Sequence, residues 1–514
     1  MRKISFLLSG LILASATGAM AQVPDKPEMA MPAGDKLGEI SFPNSGNVAA
    51  QAPFLRGVKL LHNFEYLDAV DSFRAAEKAD PSFALAYWGE AMANNYTLWS
   101  EQHTDVARAI LNKLGPTPEV RAAKAPTKRE KMYLAAVEAL YGPGTKFERD
   151  VLYGDKMDAL AAAYPDDVEA QTFDALATLG RSHGTRNEAN YLKSAAILER
   201  LFPTHQHHPG VVHYMIHSYD DPAHAKLGLK AALLYDKIAP ESPHALHMTS
   251  HIFLALGMWP ETVAANRRAQ ARAMEMMQMM PGGHGGRGMG CGHGAIWLVY
   301  AELQLGQDPQ DDISRCQQTA FDPANLAQAS GVIGNPEGNL GSWADMVVRR
   351  GVELGKWPGS ESLPEGHFMF ARFTLAYGRL LAARHNAKAA STALAEMKAD
   401  RAAIAAAMTK ELPDEDQLLP WLDRAVAQGE AVELLAAGDR QNGLAALRRA
   451  AEAEQALPVV FGPPQVQELS WELLGNELLA DGRKQEAADA FRRALQMAPG
   501  RRTATMGLKA ATGA

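Results

Sequence analysis

The sequence is poor in cysteine and aromatic residues, and it lacks any excess of positive charge. Its 514 residues include only 2 cysteines and 7% aromatic residues, and 51 basic side chains face 59 acidic ones for a net charge of −8. Proteins that bind nucleic acid depend on a basic excess or on basic stripes, so a nucleic-acid partner is not expected. No apolar stretch is long enough for a membrane-spanning helix, so no membrane span is expected either.

Several catalytic motifs are also missing. Residues 247–251 read His-Met-Thr-Ser-His, so they lack the glutamate that acts as general base in zinc proteases of the His-Glu-x-x-His type. The chain has no P-loop, no Gly-x-Ser-x-Gly turn and no Cys-x-x-Cys-His haem-attachment motif. Motifs alone therefore leave open whether the protein is an enzyme.

The start of the chain has the three parts of an export signal. A cationic start is followed by an apolar run over residues 4–16, and Ala19-Met20-Ala21 supplies small residues for cleavage after Ala21. We therefore expect residues 1–21 to be a signal peptide and the mature protein to be exported, in a bacterium to the periplasm. Residues 22–49 are rich in Pro, Gly and Met without periodicity, which predicts a flexible N-terminal segment.

The rest of the chain has the composition and spacing of helices. Residues 50–329 and 367–512 are rich in Ala, Leu, Glu and Arg with a helical period, and alternating strand patterns are missing. Residues 330–366 carry many Gly and Pro residues around a candidate helix near Trp343, and they are predicted to be an irregular insertion. A second loop is predicted over the Gly-rich residues 281–294. The fold class predicted is all-α.

The helices recur in pairs with a period of about 34 residues. In the C-terminal part of the chain, large and small residues alternate at fixed offsets of this period: Trp471, Leu474, Gly475, Leu478, Ala487, Phe491, Ala494 and Pro499. This pattern resembles the tetratricopeptide repeat (TPR), in which small residues let the two helices of a pair approach closely. Residues 57–81 fit the same offsets, with a weaker match between the two ends. The resemblance implies an α-solenoid of antiparallel helix pairs.

Histidines are concentrated in one part of this array. Of 16 histidines, nine lie between residues 205 and 251. His213 and His217 are four residues apart and so share one helix face, as do His247 and His251. The two pairs are separated by one repeat period, which places them at equivalent positions of consecutive repeats. The resemblance to the TPR implies that these positions face the concave groove.

This spacing predicts a metal site. Neighbouring helices lie about 8–10 Å apart, so imidazoles from both could reach one ion at about 2.0–2.1 Å. We predict that His213, His217, His247 and His251 bind a transition metal ion, with His208 and His244 as further candidate ligands. Imidazole-rich sites suit Zn, Cu or Fe. The alternatives are that these histidines cap helices and satisfy buried polar groups, or that they line a metal-free groove for a peptide.

The histidine strings also resemble a group of exported bacterial TPR proteins. The shared strings are His-His-Pro-Gly at 207–210, His-x3-His at 213–217 and His-x2-His-x3-His at 244–251, together with Phe-Glu-Tyr at 64–66. The resemblance implies a shared site without naming a reaction.

Other polar residues are candidates for the same groove. Asp220 and Asp221 follow the first histidine pair by one turn, and Glu90 lies on an aromatic-rich helix. Each is a candidate ligand or general base. His62 and Asn266 are predicted to be polar groove residues. Asn266 stands where the repeat has a large apolar residue.

Two further features concern sulfur. Residues 274–294 combine Met, His and Cys, which indicates either soft ligands for Cu(I) or an adaptable helix end followed by a loose loop. Cys291 and Cys316 are expected at adjacent ends of antiparallel helices, which predicts a disulfide in an oxidising compartment.

Three functions fit these observations. The first is an exported TPR scaffold with a His-rich transition-metal site, binding a protein or peptide in its groove. The second is a metal-dependent oxidoreductase or hydrolase that acts on a small-molecule substrate. The third is a metal-free peptide-binding scaffold. TPR arrays are mostly interaction modules, which favours a binding role by analogy.

Overall fold

The computed structural model describes residues 36–99, 101–182, 186–279, 290–328, 338–357, 363, 368–411 and 418–513. The expected signal peptide, residues 1–21, lies outside this part of the chain. None of the helices described is both long and apolar enough to cross a membrane.

The described chain is built almost entirely from helices. The first twelve are α1 (Val48–His62), α2 (Tyr66–Ala79), α3 (Ala84–Met92), α4 (Thr104–Leu114), α5 (Pro118–Lys124), α6 (Lys128–Leu140), α7 (Lys146–Ala163), α8 (Val168–Gly180), α9 (Glu188–Leu201), α10 (Pro209–Ser218), α11 (Ala225–Ile238) and α12 (Pro243–Ala255). Between α3 and α4 lies a short antiparallel hairpin of β1 (Asn95–Tyr96) and β2 (Glu101–Gln102), with a 3-10 turn at Thr97–Trp99.

The second group of helices continues the array. Its members are α13 (Trp259–Met279), α14 (His293–Gln304), α15 (Gln310–Ala320), α16 (Pro323–Gln328), α17 (Asn339–Leu354), α18 (Met369–Ala382), α19 (Ala387–Glu411), α20 (Leu418–Ala436), α21 (Arg440–Gln455), α22 (Ser470–Ala480), α23 (Lys484–Met497) and α24 (Arg502–Thr512). Helix α17 lies inside the segment 330–366 that the sequence predicts to be irregular.

The repeat spacing has the expected packing consequence. Phe73 of α2 lies between α1 and α3, and a Cβ atom added at Gly89 would stand 2.2 Å from its ring. Phe491 of α23 lies between α22 and α24 in the same way, and a Cβ at Gly507 would stand 2.3 Å away. Only glycine permits these approaches. The prediction of an all-α array of TPR-type helix pairs is confirmed.

Alternate helices form a second set of contacts. Most helices pack on their neighbour in sequence, and α8, α10, α12 and α14 also contact one another in turn. We call these four helices the inner row. It passes from one large apolar core, which ends at Ala255, to another that begins at Cys291.

The described part of the predicted flexible segment contributes to the first core. Leu37 and Phe42 are buried, and the Phe42 ring packs edge-on against Phe54 with centroids 5.3 Å apart. Two apolar side chains of this Pro-containing stretch thus pack into the first core, and one of them lies against α1.

The C-terminal repeat is joined to the inner row through one buried cation. Arg501 is fully buried, and it donates hydrogen bonds to Glu472 and, at 2.9 Å, to the Gln467 carbonyl oxygen. It also lies 3.3 Å from the Tyr300 hydroxyl of α14 and from Glu353 of α17. One guanidinium thus balances two buried carboxylates from two helices.

We expect Arg501→Ala to lower the free energy of unfolding by about 3–5 kcal/mol, because it leaves Glu353 and Glu472 buried without this cation. The control is Arg492→Ala, which removes an exposed pair with Asp489 and should cost about 1 kcal/mol or less. Urea unfolding followed by circular dichroism measures both values. Equal losses in the two variants would contradict this account of Arg501.

Candidate metal centre

The helices that carry the histidines start in the same way. Helix α10 begins with Pro209 after His208, whose Nδ1 accepts the Val211 N–H at 3.2 Å. Helix α12 begins with Pro243 after Ser242, whose hydroxyl accepts the Ala245 N–H at 3.0 Å. A capping side chain followed by proline fixes the first turn of a helix. The two caps are separated by one repeat period, so both helices present their histidines in the same register.

Six imidazoles converge along three helices of the inner row. The ligand nitrogens fall into two groups of three, and within each group all of them lie within 4.8 Å of one another. The first histidine set is His213, His217 and His244. The second histidine set is His247, His251 and His293. Each set takes an i, i+4 pair from one inner helix and its third member from the first turn of the next.

In the first set, one ring nitrogen is identified as a hydrogen-bond donor, and another has no hydrogen-bond partner among the described residues. His213 Nδ1 donates to the His62 carbonyl oxygen at 2.6 Å, which leaves Nε2 as a lone pair 3.1 Å from His217 Nε2. His244 Nε2 is buried and has no hydrogen-bond partner among the described residues. Burial lowers the pKa of His213 to about 3 and those of His217 and His244 well below the usual value. These rings are neutral at neutral pH.

In the second set, two Nδ1 atoms form hydrogen bonds with side-chain oxygens. His247 Nδ1 donates to Asn266 Oδ1 at 2.6 Å. The amide nitrogen of Asn266 is occupied with the Thr262 carbonyl oxygen at 2.9 Å, which identifies Oδ1 as the acceptor. His251 Nδ1 lies 2.5 Å from Asp220 Oδ2 and donates to it when the carboxyl group is ionised. Both Nε2 atoms are then lone pairs, and they lie 3.0 Å apart. His293 Nε2 lies 3.4 Å from His251 Nε2.

Two lone pairs at this distance repel each other, unless one of the two nitrogens carries a proton or both bind a cation. Burial, followed by repulsion from the neighbouring imidazoles, lowers the pKa of His247 well below its usual value, so an ordinary imidazolium is disfavoured. A proton carried by Asp220 offers one solution, because burial raises the pKa of this carboxyl to about 7. A metal ion offers the other. A tetrahedral ion with bonds of about 2.0–2.1 Å holds its nitrogens about 3.3 Å apart, which is close to the spacing in the second set.

Aromatic side chains cover both sets. The Phe64 ring lies 4.3 Å from that of His213, and Phe64 is the one non-glycine residue with positive φ (56°) among the described residues. Trp99 packs against His244 with ring centroids 5.7 Å apart. Over the second set, Phe461 and Trp297 stack on His251 at 5.7 and 5.1 Å. Apolar cover lowers the local dielectric and so strengthens the attraction between a bound cation and its ligands.

His208 and His62 belong to a different cluster. His208 Nε2 donates to Glu169 Oε1 at 3.1 Å, and His62 Nε2 donates to Glu169 Oε2 at 2.8 Å. Their other nitrogens accept hydrogen bonds from the Val211 N–H and, at 2.9 Å, from the Tyr214 hydroxyl. Every ring nitrogen of this cluster has a hydrogen-bond partner of the complementary kind, so no lone pair is left for an ion.

The three candidate carboxylates have different surroundings. Glu90 pairs with Arg74 at 2.6 Å and with Lys113 at 3.4 Å, which is the ordinary function of a buried acid. Asp221 pairs with Arg186 and accepts from the His224 N–H at the start of α11. Asp220 alone contacts a histidine of the two sets, through Nδ1 of His251, so it acts as a positioning residue there.

Sequence reasoning missed His293 as a partner of the second pair. His293 does not follow His251 by one repeat period, because the Gly-rich segment interrupts that period. Residues 280–289 of the Met-rich stretch lie outside the described part of the chain, while Met274 and Met277 are exposed. The Sγ atoms of Cys291 and Cys316 lie 2.08 Å apart, at a disulfide distance, and Cys291 stands two residues before His293.

Comparisons with known proteins give only distant likenesses. No family model matches the chain, and no curated protein matches it. The crystal structure of the APC/C hetero-tetramer Cut9–Hcn1 is similar over 91% of this chain and 78% of that one, at 13% identity and a TM-score of 0.35. The P58(IPK) TPR domain is similar over 90% and 97%, at 11% identity and a TM-score of 0.21. The structure of Naa15/Naa10 bound to HypK-THB is similar over 90% of this chain and 60% of that one, at 12% identity and a TM-score of 0.24. At these TM-scores the likenesses carry no information on partner or activity.

Proposed function

We propose that this chain is an exported helical-repeat binding protein whose inner row holds a transition-metal centre of Zn, Cu or Fe. The observation that carries the proposal is the convergence of three Nε2 atoms in the second histidine set. A single shared proton serves one pair of nitrogens, either that of His247 and His251 at 3.0 Å or that of His251 and His293 at 3.4 Å. A metal ion accounts for all three.

The surroundings of the second set support this assignment. Metal-bound histidines commonly donate their other ring N–H to a carboxylate or amide oxygen, which orients the ring. Asp220 and Asn266 supply such acceptors here. Imidazole ligands favour borderline ions over Mg or Ca, which prefer oxygen.

Export and partner binding rest on other features of the chain. The signal-like residues 1–21 and the Cys291–Cys316 pair are both typical of proteins of an oxidising compartment. The TPR-type array is an analogy to interaction modules and supports a protein or peptide partner. The proposed membership of the His-rich exported group rests on the strings at 207–217 and 244–251.

The first test is metal content. Protein purified from its native compartment should contain near-stoichiometric metal, and a variant with all of His213, His217, His247 and His251 changed to Ala should lose it. The control is the double variant His205→Ala with His207→Ala, which removes two histidines outside both sets and should keep the metal. Elemental analysis measures the content, and circular dichroism verifies folding. Wild-type protein that is metal-free and takes up no Zn, Cu or Fe on dialysis would contradict the proposal.

A second test concerns Asp220. Asp220→Asn removes the charge that orients His251, so we expect metal affinity to fall about 10–100-fold. Asp236→Asn is the matched control, because Asp236 pairs with Arg268 at the surface. Competition titration with a chromogenic chelator gives both affinities. An unchanged affinity in Asp220→Asn would show that this carboxylate does not orient a ligand.

A metal-dependent enzyme is the second candidate. It is favoured by the number of ligands, since each set supplies three imidazoles and catalytic ions commonly keep a fourth position for water or substrate. If such a position exists, azide added to the Cu(II)-loaded protein should produce a new charge-transfer absorption band. No spectral change would favour a closed, non-catalytic site.

A further inference from the structure

We propose that the centre is dinuclear, with one ion bound by each histidine set. The inference rests on the proposed metal-binding function and deepens it. It differs from the single ion of four histidines that the sequence spacing predicts.

The first argument is the grouping of the ligand atoms. Among the described residues, no set of four histidine nitrogens gathers within 4.8 Å, whereas each of the two sets of three does. A single tetrahedral ion needs its nitrogens about 3.3 Å apart. One ion placed in either set therefore leaves the three imidazoles of the other set without an ion.

The second argument is that the same site is built twice. The pair His213 and His217 on α10 is completed by His244, the second residue of α12. The pair His247 and His251 on α12 is completed by His293, the first residue of α14. The same arrangement, an i, i+4 histidine pair completed by a histidine at the start of the next inner helix, thus recurs one repeat later.

The third argument is the contact between the two sets. His217 belongs to the first set and His251 to the second, and their ring centroids are 5.8 Å apart. Their ligand nitrogens and a carboxylate oxygen of Asp220 all lie within 4.8 Å of one another. Asp220 Oδ1 is buried and has no hydrogen-bond partner among the described residues, while Oδ2 accepts from His251. The junction of the two sets thus holds an acceptor that a second cation would satisfy.

The ligand class follows from the donors. Six imidazoles and one carboxylate suit a pair of borderline divalent ions, such as Cu(II) or Zn(II). Ions that prefer oxygen ligands, such as Mg or Ca, would find too few of them here.

The test uses a matched pair of variants. His244→Ala and His293→Ala remove the third ligand from the first and the second set, and both residues lie in the first turn of an inner helix. Metal-free full-length protein is titrated with Cu(II), and bound copper is measured after desalting. We expect two ions in the wild type and one in each variant, with two retained in the exposed-site control His207→Ala.

Electron paramagnetic resonance tests whether the two ions are neighbours. Two adjacent Cu(II) ions couple, so the wild type should show a spin count well below its copper content. Each variant should show a spin count equal to its single copper. Two coppers with full, uncoupled spin intensity would overturn the adjacency of the sites.

The outcomes separate this inference from the proposed function. One copper in the wild type, lost in both variants, would overturn the dinuclear centre and leave the metal function standing. Folded wild-type protein that takes up no copper in the titration, and no Zn or Fe on dialysis, would overturn both.

Discussion

The arrangement of the site depends on two hydrogen bonds that fix which nitrogen of each imidazole carries the proton. Asn266 and Asp220 accept from the Nδ1 atoms of His247 and His251, and the Nε2 lone pairs are thereby held 3.0 Å apart. Water cannot relieve this repulsion because both rings are buried. The fold therefore holds two buried nitrogens close together, an arrangement that a bound cation or a proton carried by Asp220 would stabilise. Since Asp220 follows α10 and Asn266 lies on α13, these two hydrogen bonds also join α12 to the chain on either side of it.

The neighbouring cluster of His62, Glu169 and His208 has similar residues and the opposite chemistry. There the carboxylate is central, and each of its oxygens accepts one imidazole N–H. His208 also caps α10, so its second nitrogen is used by the backbone. The cluster stabilises the start of the helix that carries the first histidine set. Buried histidines near a carboxylate are thus not by themselves a metal site, and the assignment of donors and acceptors separates the two cases.

The all-α fold and the part of the chain where the histidines cluster could be predicted from the sequence, because both depend on periodicity. Small residues at fixed offsets predict helix pairs, and the separation of two i, i+4 pairs by one repeat period predicts that the pairs face the same surface. The division into two sets could not be predicted, since it depends on His293, which an irregular segment displaces from the period. The contact of Phe461 with His251 could not be predicted either, because the two residues lie far apart in the sequence. Asn266 was detectable as a polar residue at an apolar position of the repeat.

A solenoid is well suited to building such a centre, because a ligand pair that works on one inner helix can be repeated on the next. Stacking alone, however, leaves the groove side of the inner row open to solvent. Here both ends of the array return to close it. Phe64, after α1, covers the first set at the cost of a strained backbone. Phe461, in the segment before α22, covers the second set, and Arg501 ties the following residues to α14 through Gln467 and Tyr300. The enclosed centre is therefore a property of the whole array, since a fragment that kept only α10 to α14 would contain the six histidines without their apolar cover.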